Sequence, residues 1–358
     1  MMVDDLKKVY EKLNDHISKK LFMARLEYFV SGDPKCITML DNEYRSLSSD
    51  IEMFRKDLLS GDFDKTVIFG AGDIGTSLAL LFPKKIDAFI DNFRYGKTEP
   101  DTGLPILSLD EYLISSDHAK DHTKFIISVV DRKIEHTIRR QLQQAGIKNS
   151  AVIGLNGAYR NNTSQYFDVL VPGEHESFVD CGCYDGSTSF RFAGWCGKNG
   201  YEKIWCFEPD HRSYESCKEN LKNLGRCEVF PYAISEKEED VTFLATGMED
   251  ARIREDARIR EDGIVDKENA VKAIALDEFL KNEKVTFIKM DIEGLEMKAI
   301  KGASKIIKEQ KPRLAICIYH KPDDFVSIPA LLLELRPDYQ FCIRQYSLLL
   351  NETILYAF

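Results

Sequence analysis

The chain of 358 residues has no CxxC pair, no excess of positive charge, and no apolar run approaching the ~20 residues that cross a bilayer. Each absence removes a class of function. Nine cysteines stand at 36, 181, 183, 196, 206, 217, 227, 317 and 342, an odd number without the paired clusters that zinc sites use. They read as small buried residues of a reducing compartment, although Cys181 and Cys183 flank Gly182 in a way that invites a metal or redox reading. The opening MMVDDLKKVYEKLNDH lacks the apolar core of a signal peptide, so no membrane span and a cytoplasmic location are expected. A net charge of −10 argues against nucleic acid as the main partner.

What is present is a globular composition, 44% hydrophobic and 30% charged, in a chain too long for one ordinary core. Its organising stretch runs from Ser177 to Asp210. A short apolar run ends in Asp180, a turn carries Gly182 and Gly186, and a helix-like segment follows. A second apolar run, Ile204 to Phe207, then ends in Glu208. This pattern predicts a βαβ unit whose ligand-facing end bears two carboxylates. The glycines let backbone approach a ligand and aim helix N–H groups at it, and Glu208 suits the two hydroxyls of a ribose. No lysine follows the glycines, which excludes a P-loop.

A second nucleotide-like unit starts at Lys65. The strand Thr66–Phe69 leads into Gly70, Gly72 and Gly75 of a complete GxGxxG, and the next strand, Ile86 to Ile90, ends in Asp91. A third strand is expected from Phe125 to Val130, with a helix from Lys133 to Ala145. Strand–helix pairs run out near residue 153, so a full six-strand dinucleotide fold is not expected. The segment Gly103–Ile106 and the helix from Leu109 resemble the small nucleotide-binding domains that precede some sugar acyltransferases. The glycine turn either binds a nucleotide or nucleotide-sugar or serves only helix–sheet packing. An NAD(P)-dependent or nucleotide-sugar oxidoreductase is the alternative function, against which stands the lack of a Tyr-x-x-x-Lys pair.

The remaining motifs follow in order: Ile288-Lys289-Met290-Asp291-Ile292-Glu293-Gly294, then Glu296, Gly302, Ile318-Tyr319-His320, Arg344-Gln345-Tyr346 and Glu352–Ala357. With the DxGxxxG and EP of the βαβ unit, they resemble the FkbM family of S-adenosylmethionine (SAM)-dependent methyltransferases over roughly residues 165 to 358. The resemblance implies an α/β class I methyltransferase fold: a mostly parallel seven-stranded Rossmann-like sheet with a C-terminal antiparallel hairpin. It implies SAM held by Asp180, Gly182, Tyr184, Gly186, Glu208, Pro209 and Ala233, and O-methylation of a sugar, glycan or related metabolite.

The domains expected are a helical segment at 1–62, a small Rossmann-like nucleotide-binding domain at 63–160 and a methyltransferase domain at 166–358, with Asn161–Ser164 as linker. The helical segment packs on its neighbour or mediates a homodimer. Strands are expected at 227–234, 242–246, 271–275, 285–290 and 314–319, one helix at 295–309, and a closing hairpin of 340–344 with 353–358. The tandem ARIRED repeat of 251–262 is either a charged, solvated loop, the favoured reading, or a helical lid over the substrate, and Trp195 and Trp205 are assigned to the core.

An alcohol acceptor must lose its proton during attack on the methyl group, and Asp291, Glu293 and His320 stand at the ends of the strands that should face it. His320 is the expected base, given an ordinary imidazole pKa of about 6.5, and Asp291 orients it, holds the SAM amino group or joins Glu293 around a cation. Two acids do not make a metal site, so none is expected. Arg344 and Tyr346 are the candidate substrate contacts.

Overall fold

The computed structural model describes residues 2–33, 35–38, 40, 42–44, 56, 63–82, 85–115, 122–129, 132–154, 165–244, 252–253, 270–347 and 350–358. The chain divides into two units, one formed by Met1–Val30, Ser164–Gln345 and Asn351–Phe358, the other by Ser31–Thr163 and Tyr346–Leu350.

The second of these contains β1 (Lys65–Phe69), β2 (Ala88–Ile90), β3 (Lys97–Thr98), β4 (Pro105–Leu107), β5 (Thr123–Ile127) and β6 (Val152–Gly154). Their order is β3-β4-β2-β1-β5-β6, with all neighbours parallel except β3. The sheet therefore reaches six strands only through a two-residue antiparallel edge. Alternation sends Ile68, Phe89 and Ile126 to one face and Val67, Phe69, Phe125 and Ile127 to the other. Both faces are buried, as in parallel sheets covered by helices on each side.

The larger unit carries β7 (Glu176–Cys181), β8 (Tyr201–Phe207), β9 (Cys227–Phe230), β10 (Ala233–Ile234), β11 (Glu239–Leu244), β12 (Arg252–Ile253), β13 (Ala270–Ile274), β14 (Phe287–Met290), β15 (Arg313–Cys317), β16 (Phe341–Gln345) and β17 (Thr353–Ala357). Seven of them form the main sheet in the order β16-β17-β15-β14-β7-β8-β9. The five from β15 to β9 run parallel, and β17 and β16 return antiparallel as the expected hairpin. The core beside β7 is aromatic: Phe178 stacks on Phe192 at 4.3 Å, and Phe167, Trp195 and Phe287 surround them. Trp205 is also buried.

Four local expectations change. The strand expected at 227–234 ends at Phe230, because Pro231 has no N–H for the ladder, and the chain restarts as β10 in a second, four-stranded sheet. The helix expected at 295–309 is two helices, Glu296–Gly302 and Ser304–Gln310. The break falls where a Cβ on Gly302 would lie 2.1 Å from the Ser235 carbonyl. The helix Asp324–Leu335, with Pro329 inside it, was not anticipated. Finally, residues 1–62 are not one block. Asn14 N–H donates to the Phe341 carbonyl (2.8 Å), and Phe22 packs on Phe325, so the first helices cover the edge of the main sheet at β16.

The strand expected at 242–246 lies earlier, as β11 (Glu239–Leu244), and pairs antiparallel with β13 through residues 239–242; residues 245–246 lie outside the described residues. The proposed linker and the ARIRED repeat lie outside the described residues, apart from β12 within the first copy. Among the described residues no helix is long and apolar enough to cross a membrane.

Candidate active site

A cavity of about 250 Å³ opens at the carboxyl edge of the main sheet. It sits where β7 and β14 are neighbours but their onward connections leave in opposite directions, the place where open α/β sheets take ligands. Gly182, Tyr184, Glu208, Pro209 and Ala233 line it on one side, Asp291 and Glu293 on the other.

The turn after β7 is held from below. Asp180 is fully buried and lies 3.2 Å from Lys289 Nζ, itself buried on β14. Ser189 Oγ donates to the other Asp180 oxygen (2.7 Å), and Lys289 donates to the Gly182 carbonyl (2.6 Å). Burial works against the Lys289 charge, but the Asp180 and Asp291 carboxylates hold the ammonium above its usual range. Asp180 thus fastens the turn and does not line the cavity, which corrects its expected contact with SAM.

The glycines also answer to protein neighbours. A Cβ at Gly182 (φ +79°) would lie 1.9 Å from the Asp291 carbonyl, and one at Gly186 (φ +81°) would lie 2.7 Å from Leu221 Cγ. Gly186 is needed for packing on the helix His211–Leu221 and is not on the cavity wall.

Glu208 follows β8 and is buried at the cavity wall. Its two oxygens accept from Tyr184 N–H and Asp210 N–H, each at 2.9 Å, so the carboxylate is oriented by backbone. Tyr184 contributes through its main chain, in a left-handed conformation (φ 49°). Burial pushes the Glu208 carboxyl up to about 7, against the two backbone donors. The lone pairs not used by backbone remain for donors in the cavity.

Opposite lies the turn after β14. Glu293 (φ 55°) and Gly294 (φ 95°) are consecutive left-handed residues, a conformation that is costly for a glutamate and concentrates at functional sites. Tyr166 hydroxyl donates to Asp291 Oδ2 (2.9 Å), and burial of Asp291 is outweighed by Lys289 and His320, which keep its carboxyl below the usual range. His320 Nε2 stands 3.5 Å from Asp291 Oδ1 and 3.7 Å from Glu293 Oε2. On the far side, Nδ1 meets Glu296 Oε1 at 2.9 Å, and that oxygen also accepts from Ile292 N–H.

The three predicted catalytic residues therefore do converge, but the roles shift. Burial disfavours the imidazolium, yet Glu296, Asp291 and Glu293 push the His320 pKa up to about 9. The three acids thus surround a ring whose setting is not that of the ordinary imidazole expected from the sequence. Asp291 and Glu293 line the cavity, with His320 behind them.

Arg344 does not reach the cavity: it pairs with Asp15 at 2.9 Å and Ser18 at 3.2 Å, joining β16 to the N-terminal helices. Tyr346 belongs to the other unit. So does the GxGxxG turn, where each element has a partner of its own: a Cβ at Gly75 would lie 2.1 Å from the Gly70 carbonyl, and Asp91 accepts from Ala71, Phe93 and Arg94 N–H. Lys289, Tyr166, Glu296 and Glu352 were not assigned from the sequence. A lysine in an apolar central strand was the readable signal for the first.

This sheet order and ligand edge define the class I methyltransferase architecture. The methyltransferase FkbM domain matches residues 180–342 of the chain. A 2-O-methyltransferase, NoeI of Sinorhizobium fredii (strain NBRC 101917 / NGR234), is 28% identical over 147 residues, 37% of this chain and 59% of the relative. The match thus spans little more than half the relative's length. In solved structures, methyltransferase FkbM from Methylobacillus flagellatus KT shares the fold at a TM-score of 0.51 and 20% identity, over 94% of this chain and 100% of that one.

Proposed function

We propose that the chain is a SAM-dependent O-methyltransferase whose acceptor is a hydroxyl of a sugar, glycan or related metabolite. The observation that carries the reading is Glu208, a buried carboxylate oriented by two backbone donors at the carboxyl end of the second strand of the βαβ unit. It suits the paired hydroxyls of a ribose, and Pro209 and Ala233 give the same wall an apolar surface for an adenine. The similarity to a 2-O-methyltransferase supports oxygen as the acceptor atom.

In the reaction the acceptor oxygen bonds to the methyl carbon as the carbon–sulfur bond breaks, so the sulfonium becomes a neutral thioether. Alignment of the two is the main task of the protein, with no covalent enzyme intermediate. Asp291 and Glu293 face the cavity and receive the acceptor hydroxyl, while His320 and Glu296 hold them from behind. Incubation with methyl-labelled SAM and a panel of glycosides tests the reading: label in an acid-stable ether supports it. SAM binding with label only in amines or thiols would contradict the O-methyl assignment.

A further inference from the structure

Asp291, Glu293 and His320 come from two separate turns, and one donor atom of each lies within 4.8 Å of the others. The His320 side chain is 7% exposed, and its Nε2 is buried without a hydrogen-bond partner while pointing at the two carboxylates. A buried imidazole nitrogen without a hydrogen bond costs free energy unless something else engages it. We propose that Asp291, Glu293 and His320 bind a divalent transition-metal cation at the cavity wall, where it receives the acceptor hydroxyl.

Four features agree. An ion about 2.0–2.2 Å from tetrahedral donors sets them about 3.3–3.6 Å apart, so the spacings of 3.5 and 3.7 Å need only a small shift. Three protein ligands leave a fourth position open, and Asp291 and Glu293 place it toward the cavity. Glu296 Oε1 holds Nδ1 at 2.9 Å, the carboxylate–histidine arrangement that fixes the ring with Nε2 as the ligand. Glu293 adopts its costly left-handed conformation at this place.

A second trio, Cys183, Cys206 and Cys217, also clusters, but Cys183 Sγ meets Cys217 Sγ at 3.3 Å and Cys206 Sγ meets Ser189 Oγ at 3.1 Å.

The inference rests on the methyltransferase reading for the purpose of the ion, not for its binding. An acceptor hydroxyl on the cation would lose its proton to water more readily, and its oxygen would attack the methyl carbon as the carbon–sulfur bond breaks. The donor set of one imidazole and two carboxylates suits Mn²⁺, which thiols bind poorly, so the nine cysteines interfere little with this probe.

The test is Mn²⁺ titration of the chelator-treated full chain without SAM, followed by electron paramagnetic resonance and calorimetry. One ion per chain is expected. Glu293→Gln, at a 22% exposed side chain, and His320→Ala should each weaken it at least ~10-fold, and Glu296→Gln about 10–100-fold. S-adenosylhomocysteine titrated into the same samples reports whether each variant is folded. Mn²⁺ binding lost in a Glu293→Gln whose circular dichroism and melting match the wild type supports the site, whether or not the wild type takes the nucleoside. Absent Mn²⁺ binding in the wild type, or equal affinity in Glu293→Gln and His320→Ala, overturns it.

Discussion

The Asp180–Lys289 pair offers a quantitative check on how the ligand turn is held. Both side chains are essentially buried, at 0% and 3% exposure, and the ions are 3.2 Å apart. Removing one partner of such a pair strands the other charge, which costs about 3–5 kcal/mol. Asp180→Asn keeps the shape and leaves Lys289 with only the more distant Asp291 carboxylate; Lys289→Met keeps the stem and leaves Asp180 with Ser189 alone. For a unit of this size ~1 kcal/mol moves the melting temperature by ~2–4 °C, so each single variant should lower the transition by ~6–20 °C. The double variant removes both charges at once and should be distinctly more stable than the sum of the singles, a coupling on the order of 1–3 kcal/mol. Denaturant melts of the four proteins, followed by Trp195 and Trp205 fluorescence, measure the cycle. Additive losses, or singles within about 0.5 kcal/mol of wild type, would show that the pair does not hold the turn.

Three further outcomes follow from the same geometry. Glu208→Gln should weaken S-adenosylhomocysteine binding by ~1.5–3 kcal/mol, about 10–100-fold. The free carboxyl sits at about 7, and ribose hydroxyls favour its ionised form, so wild-type affinity should fall as pH drops below 7, by up to about tenfold per unit; calorimetry from pH 5.5 to 7.5 should show a flat profile in the variant. Gly182→Ala should cost more than ~2 kcal/mol, because the left-handed backbone and the Asp291 carbonyl at 1.9 Å both oppose a methyl group; a chemical melt equal to wild type would refute this. Arg344→Ala should lower stability by about 1–3 kcal/mol while leaving SAM affinity and acceptor KM unchanged, since Arg344 serves Asp15 and Ser18; a raised KM would return it to the substrate site.

Much of the ligand edge was legible because it is local. Strand, glycine turn, helix and closing acid lie within Ser177–Asp210, and the acids at 291 and 293 directly follow an apolar strand. Periodicity identifies such elements but does not say what a side chain meets across the sheet. Asp180 looked like a ligand residue because its partner is 109 positions away, on β14. Lys289 in a buried strand was the signal that a carboxylate had to be near. His320 appeared to be an ordinary imidazole because the sequence does not reveal that Glu296, the first residue of the helix Glu296–Gly302, stands at its back. Gly302, at the end of the first of the two helices in 295–309, packs against the carbonyl of Ser235, a long-range contact that no local pattern records.

The cavity between β7 and β14 is proposed to take SAM. Calorimetric titration of the purified full chain with SAM, NAD and UDP-sugars addresses it most directly. One SAM per chain is expected, competed by S-adenosylhomocysteine and weakened in Glu208→Gln. No SAM heat in the wild type, with NAD or a UDP-sugar binding instead, would contradict it.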